Sequence, residues 1–263
     1  MRYAIGIEYD GSGFLGWQIQ RQEPTVQGVL EKALAKVANH EARIIACGRT
    51  DTGVHALSQV AHFDSPAERS ERSWVLGLNS HLPAGVCVLW IRAVDDEFHA
   101  RFSAFARSYR YRILNRWIRP ALENTRACWI RQPLDAAAMH EAAQSLLGEH
   151  DFTSFRAANC QATHAVREIQ HIAVEREGDA VNLDITANGF LYHMVRNIAG
   201  SLVRVGTGDA PAGWVGEVLE ARDRTLAAPT AQPEGLYFIG ARFPQHYGLP
   251  ESAPAFPRGQ GLS

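Results

Sequence analysis

Apolar and polar positions recur with two periods along the chain, and the switches between them predict its elements. Residues 2–10, "RYAIGIEYD", have strand composition and end in the turn-rich "DGSG". Over residues 25–38, Val26, Val29, Leu30, Ala33, Leu34 and Val37 recur at helical spacing and make one apolar face. "RIIACG" (43–48) reads as a buried strand, "ALSQVAHFD" (56–64) as a half-buried strand and "GVCVLWIRAV" (85–94) as another, with a helix expected over 70–82. The order β-α-β-β-α-β suggests a ferredoxin-like split unit.

A second series follows a junction around residues 96–107. "SYRYRILN" (108–115) and "ACWIR" (127–131) have strand patterns, and residues 135–150 read as a helix opened by an Asp cap. Two alternating stretches meet at Gly178-Asp179, a hairpin signal. "LYHMVRNIAGSLVRVG" and "AGWVGEVLEAR" are helical, and "GLYFIGARF" (235–243) is a closing strand. The prediction is an α+β fold of two ferredoxin-like, split β-α-β halves, 1–105 and 106–245. An irregular Pro-rich tail, 246–263, follows.

Charge alters this picture locally. The net charge is only −2, which argues against a strongly basic surface, yet 24 of the 26 basic residues are arginines. A GC-rich genome and a use of arginine for phosphate and base contacts both account for that bias. Location separates them. In "FHARFSAFARSYRYRILNRWIR" (98–119) six arginines interleave with Phe102, Phe105, Tyr109, Tyr111 and Trp117, and no acid is present. Arginines for phosphates with aromatic faces for bases are a means of gripping unpaired nucleotides, and a salt-bridged strand is the competing reading. The four cysteines form no CxxC and read as reduced thiols, and no uncharged run approaches a membrane span. A soluble, cytoplasmic protein is expected.

"GRTDTGVHA" (48–56) carries the sharpest chemical signal. An aspartic protease dyad needs two carboxylates sharing a proton, whereas the chain has one Asp-Thr-Gly and places Arg49 two residues before it. Asp51 with His55 lacks further ligands at metal-site spacing. A turn residue and a lone carboxylate with other chemistry remain. His55 reads as a structural hydrogen-bonder or an acid–base group. Arg196, in the apolar-rich "GFLYHMVRN", needs an anionic partner, for which Asp51, Asp184 and Glu168 are candidates.

"YDGSGFLGWQIQ", "CGRTDTGVHA", "FHARFSAFARSYRYRI", "EHDFTSFRAANCQ", "GFLYHMVRNIAGSL" and "GLYFIGARFP", in this order from about residue 3 to 244, closely resemble the tRNA pseudouridine synthase A family. The resemblance implies isomerisation of uridine to pseudouridine at positions 38 to 40, in the anticodon stem-loop of tRNA, without metal or organic cofactor. It implies a homodimer, with two α/β domains whose antiparallel sheets meet at a central basic cleft. By the same resemblance Asp51 is the catalytic carboxylate, Arg49 serves base flipping, Tyr109 packs on the target base, Arg196 pairs with Asp51 and Leu236 lines the pocket. Phe98, His99, Ala100, Arg101 and Phe102 align with a tRNA-contacting stretch, as do Asn159, Cys160, Gln161, Ala162 and Thr163. The chemistry breaks C1′–N1, turns the uracil and joins C5 to C1′. Asp51 as nucleophile or as base is open, as is Tyr109 as acceptor of the C5 proton.

Overall fold

The computed structural model describes residues 1–21 and 24–250; the tail from 251 onward lies outside the described residues. The first stretch gives β1 (Arg2–Tyr9), α1 (Val26–Ala38), β2 (Ile45–Ala46), β3 (His55–Asp64), α2 (Glu71–His81) and β4 (Val86–Val94). Then come β5 (Ala106–Asn115), β6 (Cys128–Ile130), α3 (Ala136–Gln144), β7 (Gly148–Asp151), β8 (Val166–Glu177) and β9 (Ala180–Ala187). The chain continues through α4 (Met194–Gly206) and α5 (Trp214–Ala221) to β10 (Leu236–Arg242). Caps fix the helix starts: Asp135, as expected, accepts from Ala137 and Ala138 N–H, and Thr25 accepts from Gly28 N–H. No helix among the described residues is long and apolar enough to cross a membrane.

The ten strands among the described residues form one sheet, ordered β4-β1-β3-β10-β5-β9-β8-β7, with β2 on β3 and β6 on β5. This corrects the expectation of two separate sheets. The joint is a short parallel pairing of β10 with β3, Tyr237 opposite His55 and Phe238 opposite Ala56. β1 runs along one edge of β3, so β2 and β10 share the other: β2 at residues 61–62, β10 at 55–56. The strand expected over 43–48 shortens to two residues: Ile44 N–H donates to Glu31 Oε1 (2.8 Å) and Gly48 O accepts from the Gln59 side chain (2.8 Å).

Two apolar cores lie along this sheet, one with α1 and α2, the other with α3, α4 and α5. The first is built around Trp17, Phe63 and Trp74, the second around Tyr111, Phe152 and Phe155. β10 serves both, burying Phe238 in the first and Leu236 in the second, and Tyr109 packs against each. The helix expected over 135–150 stops at Gln144, and Gly148–Asp151 pairs with β8 as an edge strand. Its sequence, Gly-Glu-His-Asp, contains no apolar residue from which a strand period could be read. The segment after 245 is not wholly irregular: Gln245–Tyr247 form a 3-10 turn that sets the Tyr247 ring 5.0 Å from Phe98.

Candidate active site

The loop from β2 to β3 carries Asp51, and backbone contacts fix its shape. Val54 N–H donates to Asp51 O (3.1 Å) and Gly53 has φ +79°, as a type II turn requires at its third position. Thr50 is held on both sides: its hydroxyl lies 2.7 Å from the buried Tyr9 hydroxyl, and its carbonyl accepts from Trp17 N–H at 3.0 Å. Gly16, at φ +85°, lies so close that a Cβ there would stand 2.7 Å from Thr50 O. A Cβ on Gly11 would stand 2.0 Å from Val54 O. The glycines of "DGSGFLGW" thus admit backbone against backbone and brace the Asp51 turn.

His55, just beyond the turn, is structural in its contacts. It accepts from Gly11 N–H at Nδ1 (3.1 Å), bonds Thr125 O through Nε2 (2.8 Å) and stacks on Tyr237 at 4.6 Å. Burial lowers its pKa, outweighing the pull of Asp10.

The first turn of α4 faces Asp51 from the other side. Arg196 Nη1 donates to Asp51 Oδ2 at 3.2 Å, while its Nε donates to Ala231 O at 2.8 Å. The side chains are 13% and 26% exposed, so the pair is shielded from bulk water without being sealed from a ligand. Of the three acids open to Arg196 from sequence, Asp51 is therefore the partner; Asp184 is taken by Arg110. His193 also reaches Asp51, with Nε2 3.2 Å from Oδ2. It occupies the N-cap of α4 at φ 60° with no capping hydrogen bond. A left-handed conformation costs an L-residue roughly 1–2 kcal/mol and a missing cap about 1 kcal/mol. Sequence reasoning passed over His193, although its i, i+3 spacing to Arg196 places both on one turn of a helix.

These groups line a cleft of about 790 Å³. Arg49, Asp51, Tyr109, Arg196 and Leu236 all border it, as do Arg101, Phe102, Cys160, Gln161 and Ala162. Six arginines (43, 49, 101, 107, 167 and 196) face a single carboxylate there, Asp51. Arg49 is exposed and makes no ion pair among the described residues. Tyr109 stands edge-on to Phe190 (5.0 Å) and Phe238 (5.1 Å), which fix its ring as one wall. Burial raises its pKa strongly, reinforced by Cys47, Tyr9 and Asp51, so the phenol stays protonated at neutral pH.

Phe98 and Ala100 depart from expectation as RNA contacts. Both are 0% exposed in the first core, Phe98 against Phe243 and Tyr247, so neither side chain is presented to a ligand. His99, Asn159 and Thr163 lie outside the cleft lining, Asn159 and Thr163 on the surface. The arginine-rich segment also divides. On β5, Arg107, Tyr109 and Tyr111 share one face, and Ser108, Arg110 and Arg112 the other. Arg110 forms a two-pronged pair with Asp184 (2.7 Å for each bond), and Arg112 pairs with Glu123 at 2.8 Å. The salt-bridged reading holds for that face, whose acids come from other parts of the chain. Arg101 and Arg107 remain on the cleft.

Against this geometry, comparisons with known proteins define first a class. The sequence pattern of the family described as tRNA pseudouridine synthase matches residues 5–103 and 142–244. The chain belongs to that family, whose members are isomerases. Among individual relatives, tRNA pseudouridine synthase A of Xylella fastidiosa (strain M23) is 54% identical over 251 residues, covering 95% of this chain and 98% of that protein. The protein of the same name from Xanthomonas euvesicatoria pv. vesicatoria (strain 85-10) is 54% identical over 252 residues, with the same coverage. Two solved structures show a shallow likeness. One, an H/ACA RNP bound to a substrate RNA containing 2′-deoxyuridine, gives a TM-score of 0.36 at 13% identity over 76% of this chain and 44% of that one. The other, a Cbf5-Nop10-Gar1 complex, gives 0.35 at 14% identity over 90% and 48%.

Proposed function

We propose that the chain isomerises uridine to pseudouridine at positions 38 to 40 in the anticodon stem-loop of tRNA, with Asp51 acting at the glycosidic carbon. The observation that carries this reading is the convergence of Asp51, Arg196, Tyr109 and Leu236, from distant stretches of sequence, in one arginine-lined cleft. Family membership and the resemblance of the surrounding motifs support the substrate.

The target base in a stem must leave the helix before any group can reach its sugar. Arg49 has the reach, charge and exposure to brace the gap, while Arg101 and Arg107 offer cationic contacts to the backbone. The extruded uracil lies between the Tyr109 ring and Leu236. Ionised Asp51, held by Arg196, attacks C1′ or takes a proton from the sugar. Either course breaks C1′–N1 with the electron pair going to uracil N1. The detached ring turns within the cleft and C5 bonds to C1′, displacing Asp51 from C1′ or with return of the sugar proton that Asp51 had taken; loss of the C5 proton and gain of one at N1 complete the balance. Tyr109, a protonated phenol, serves this sequence as a wall and a hydrogen-bond donor. The homodimer and the cytoplasmic location belong to the same reading through the resemblance.

The test is tritium release from transcripts labelled at uracil C5, with the modified position mapped on the product. The wild-type chain is expected to release label from uridines at 38 to 40. Asp51→Asn is expected to release none while binding the tRNA as before. Turnover near wild type in that variant overturns the role of Asp51, and release confined to other uridines overturns the substrate.

A further inference from the structure

Gln59 lies wholly inside the protein, and the chemistry above does not employ it. It sits on β3 opposite Ile7 of β1, with 0% of its surface exposed. Its Nε2 donates to Gly48 O at 2.8 Å, while its Oε1 is buried without a hydrogen-bond partner among the described residues. A buried amide with an unpaired oxygen is destabilising beside an apolar side chain of the same size, so core packing does not account for it. Its donor end faces the loop. Gly48 O belongs to the peptide that enters Arg49. On the far side of Arg49, the Thr50 hydroxyl lies 2.7 Å from that of Tyr9, and Thr50 O accepts from Trp17 N–H at 3.0 Å. We propose that Gln59 is a positioning residue for Arg49: it fixes the peptide before that residue, as Tyr9 and Trp17 fix the residue after it, and so aims the guanidinium at the RNA helix. The inference rests on the reading of Arg49 as the group that braces the gap left by the extruded base.

The amide orientation follows from its partner. Only an N–H is attracted to a carbonyl oxygen at 2.8 Å, so the nitrogen and not the oxygen is turned toward Gly48. The ties on the other side are equally deep, with Tyr9 3% and Thr50 7% exposed, and hydrogen bonds shielded from water are electrostatically the stronger. The Tyr9 phenol keeps its proton at neutral pH: burial raises its pKa to about 12, against the opposing pull of Thr50 and Gln59. Arg49 differs from these neighbours. Its side chain is exposed on the cleft and makes no hydrogen bond or ion pair among the described residues. A long side chain without partners takes its direction from its backbone alone. Holding the backbone on both sides therefore narrows the directions open to the guanidinium, and less freedom is lost when it enters the RNA.

Gln59→Met tests this. Met is unbranched and close to Gln in length, so it fills the position on β3 while removing the donor. Gln59→Leu repeats the measurement with a smaller side chain, and thermal melts establish that each variant is folded. Single-turnover tritium release with saturating enzyme is followed on two transcripts. In one the uridine at position 39 is paired; in the other it faces a mismatched base, which lowers the cost of extrusion. Gln59→Met is expected to react about fivefold more slowly than the wild type on the paired transcript, the worth of one hydrogen bond, and within about twofold of it on the mismatched one. In an Arg49→Ala background the same substitution is expected to change the paired rate by less than about twofold, because the two residues act as a unit. A wild-type rate on the paired transcript, an equal loss on both transcripts, or a loss that adds in full to that of Arg49→Ala overturns the positioning role. An Arg49→Ala variant slowed equally on both transcripts overturns the reading of Arg49 and this inference with it. A wild-type chain that releases no tritium from either transcript overturns the function reading itself.

Discussion

Replacing Gly16 with alanine tests whether the glycines near the N-terminus act through the Asp51 turn. The added Cβ would lie 2.7 Å from Thr50 O, 3.0 Å from Asp51 C and 3.1 Å from Thr52 N. All three are backbone atoms, so no side-chain rotation relieves the overlap. The φ of +85° adds a conformational cost of roughly 1–2 kcal/mol for a residue with a Cβ. Overpacking against a fixed wall costs about 1–3 kcal/mol more. In a chain of this size each kcal/mol shifts the melting temperature by about 2–4 °C, which gives a fall of roughly 4–20 °C. Any part of the strain relieved by moving the turn displaces Asp51 from Arg196 instead, and appears as lost tritium release. Gly13→Ala is the control, since its Cβ meets nothing within 4 Å and its φ is not positive. Thermal melts and single-turnover assays on both variants decide the matter. Wild-type stability together with wild-type rate in Gly16→Ala would refute the bracing argument.

Two further predictions concern charge. His62 is 2% exposed, and burial, with His99 and Arg2 adding to it, lowers its pKa from 6.5 to about 4. The unfolded chain therefore takes up this proton first, so the stability is fully present above about pH 6.5 and declines as pH falls toward about 4. His62→Asn keeps an acceptor for Ala100 N–H but cannot titrate, and urea unfolding at about pH 7 and about pH 4.5 should show a smaller acid loss than in the wild type. An identical loss in both proteins argues against the His62 contribution. Arg101→Gln should weaken tRNA binding and reduce the salt slope by about one, whereas Arg110→Gln, whose native side chain is tied to Asp184, should leave the slope unchanged. Equal slope changes in the two would contradict the separation of the cleft arginines from the salt-bridged face of β5.

The sequence disclosed most of this fold through periodicity and turn chemistry. Residues 178–179 form the expected hairpin, Asp135 caps its helix, and the Thr-Gly after Asp51 makes its turn. Features set by distant partners were not legible in this way. Arg110 and Arg112 looked unopposed because Asp184 and Glu123 lie on other segments. Phe98 stood beside arginines in sequence, yet Phe243 and Tyr247 enclose it in space. β7 escaped notice because an edge strand with solvent to one side needs no apolar alternation. His193 was hidden for another reason: the backbone conformation that turns it toward Asp51 follows from tertiary packing and leaves no mark on residue type.

The placement of β10 bears on how the protein is made. It is the last in sequence of the ten strands among the described residues, yet it lies between β3 and β5, where the two cores meet. Until residue 242 has left the ribosome, β3 and β5 have no strand to join them, and Asp51 and Arg196 ride on separate stretches of nascent chain. The cleft is consequently assembled after translation of its walls, and synthesis interrupted before β10 yields a chain without the strand that brings acid and guanidinium together.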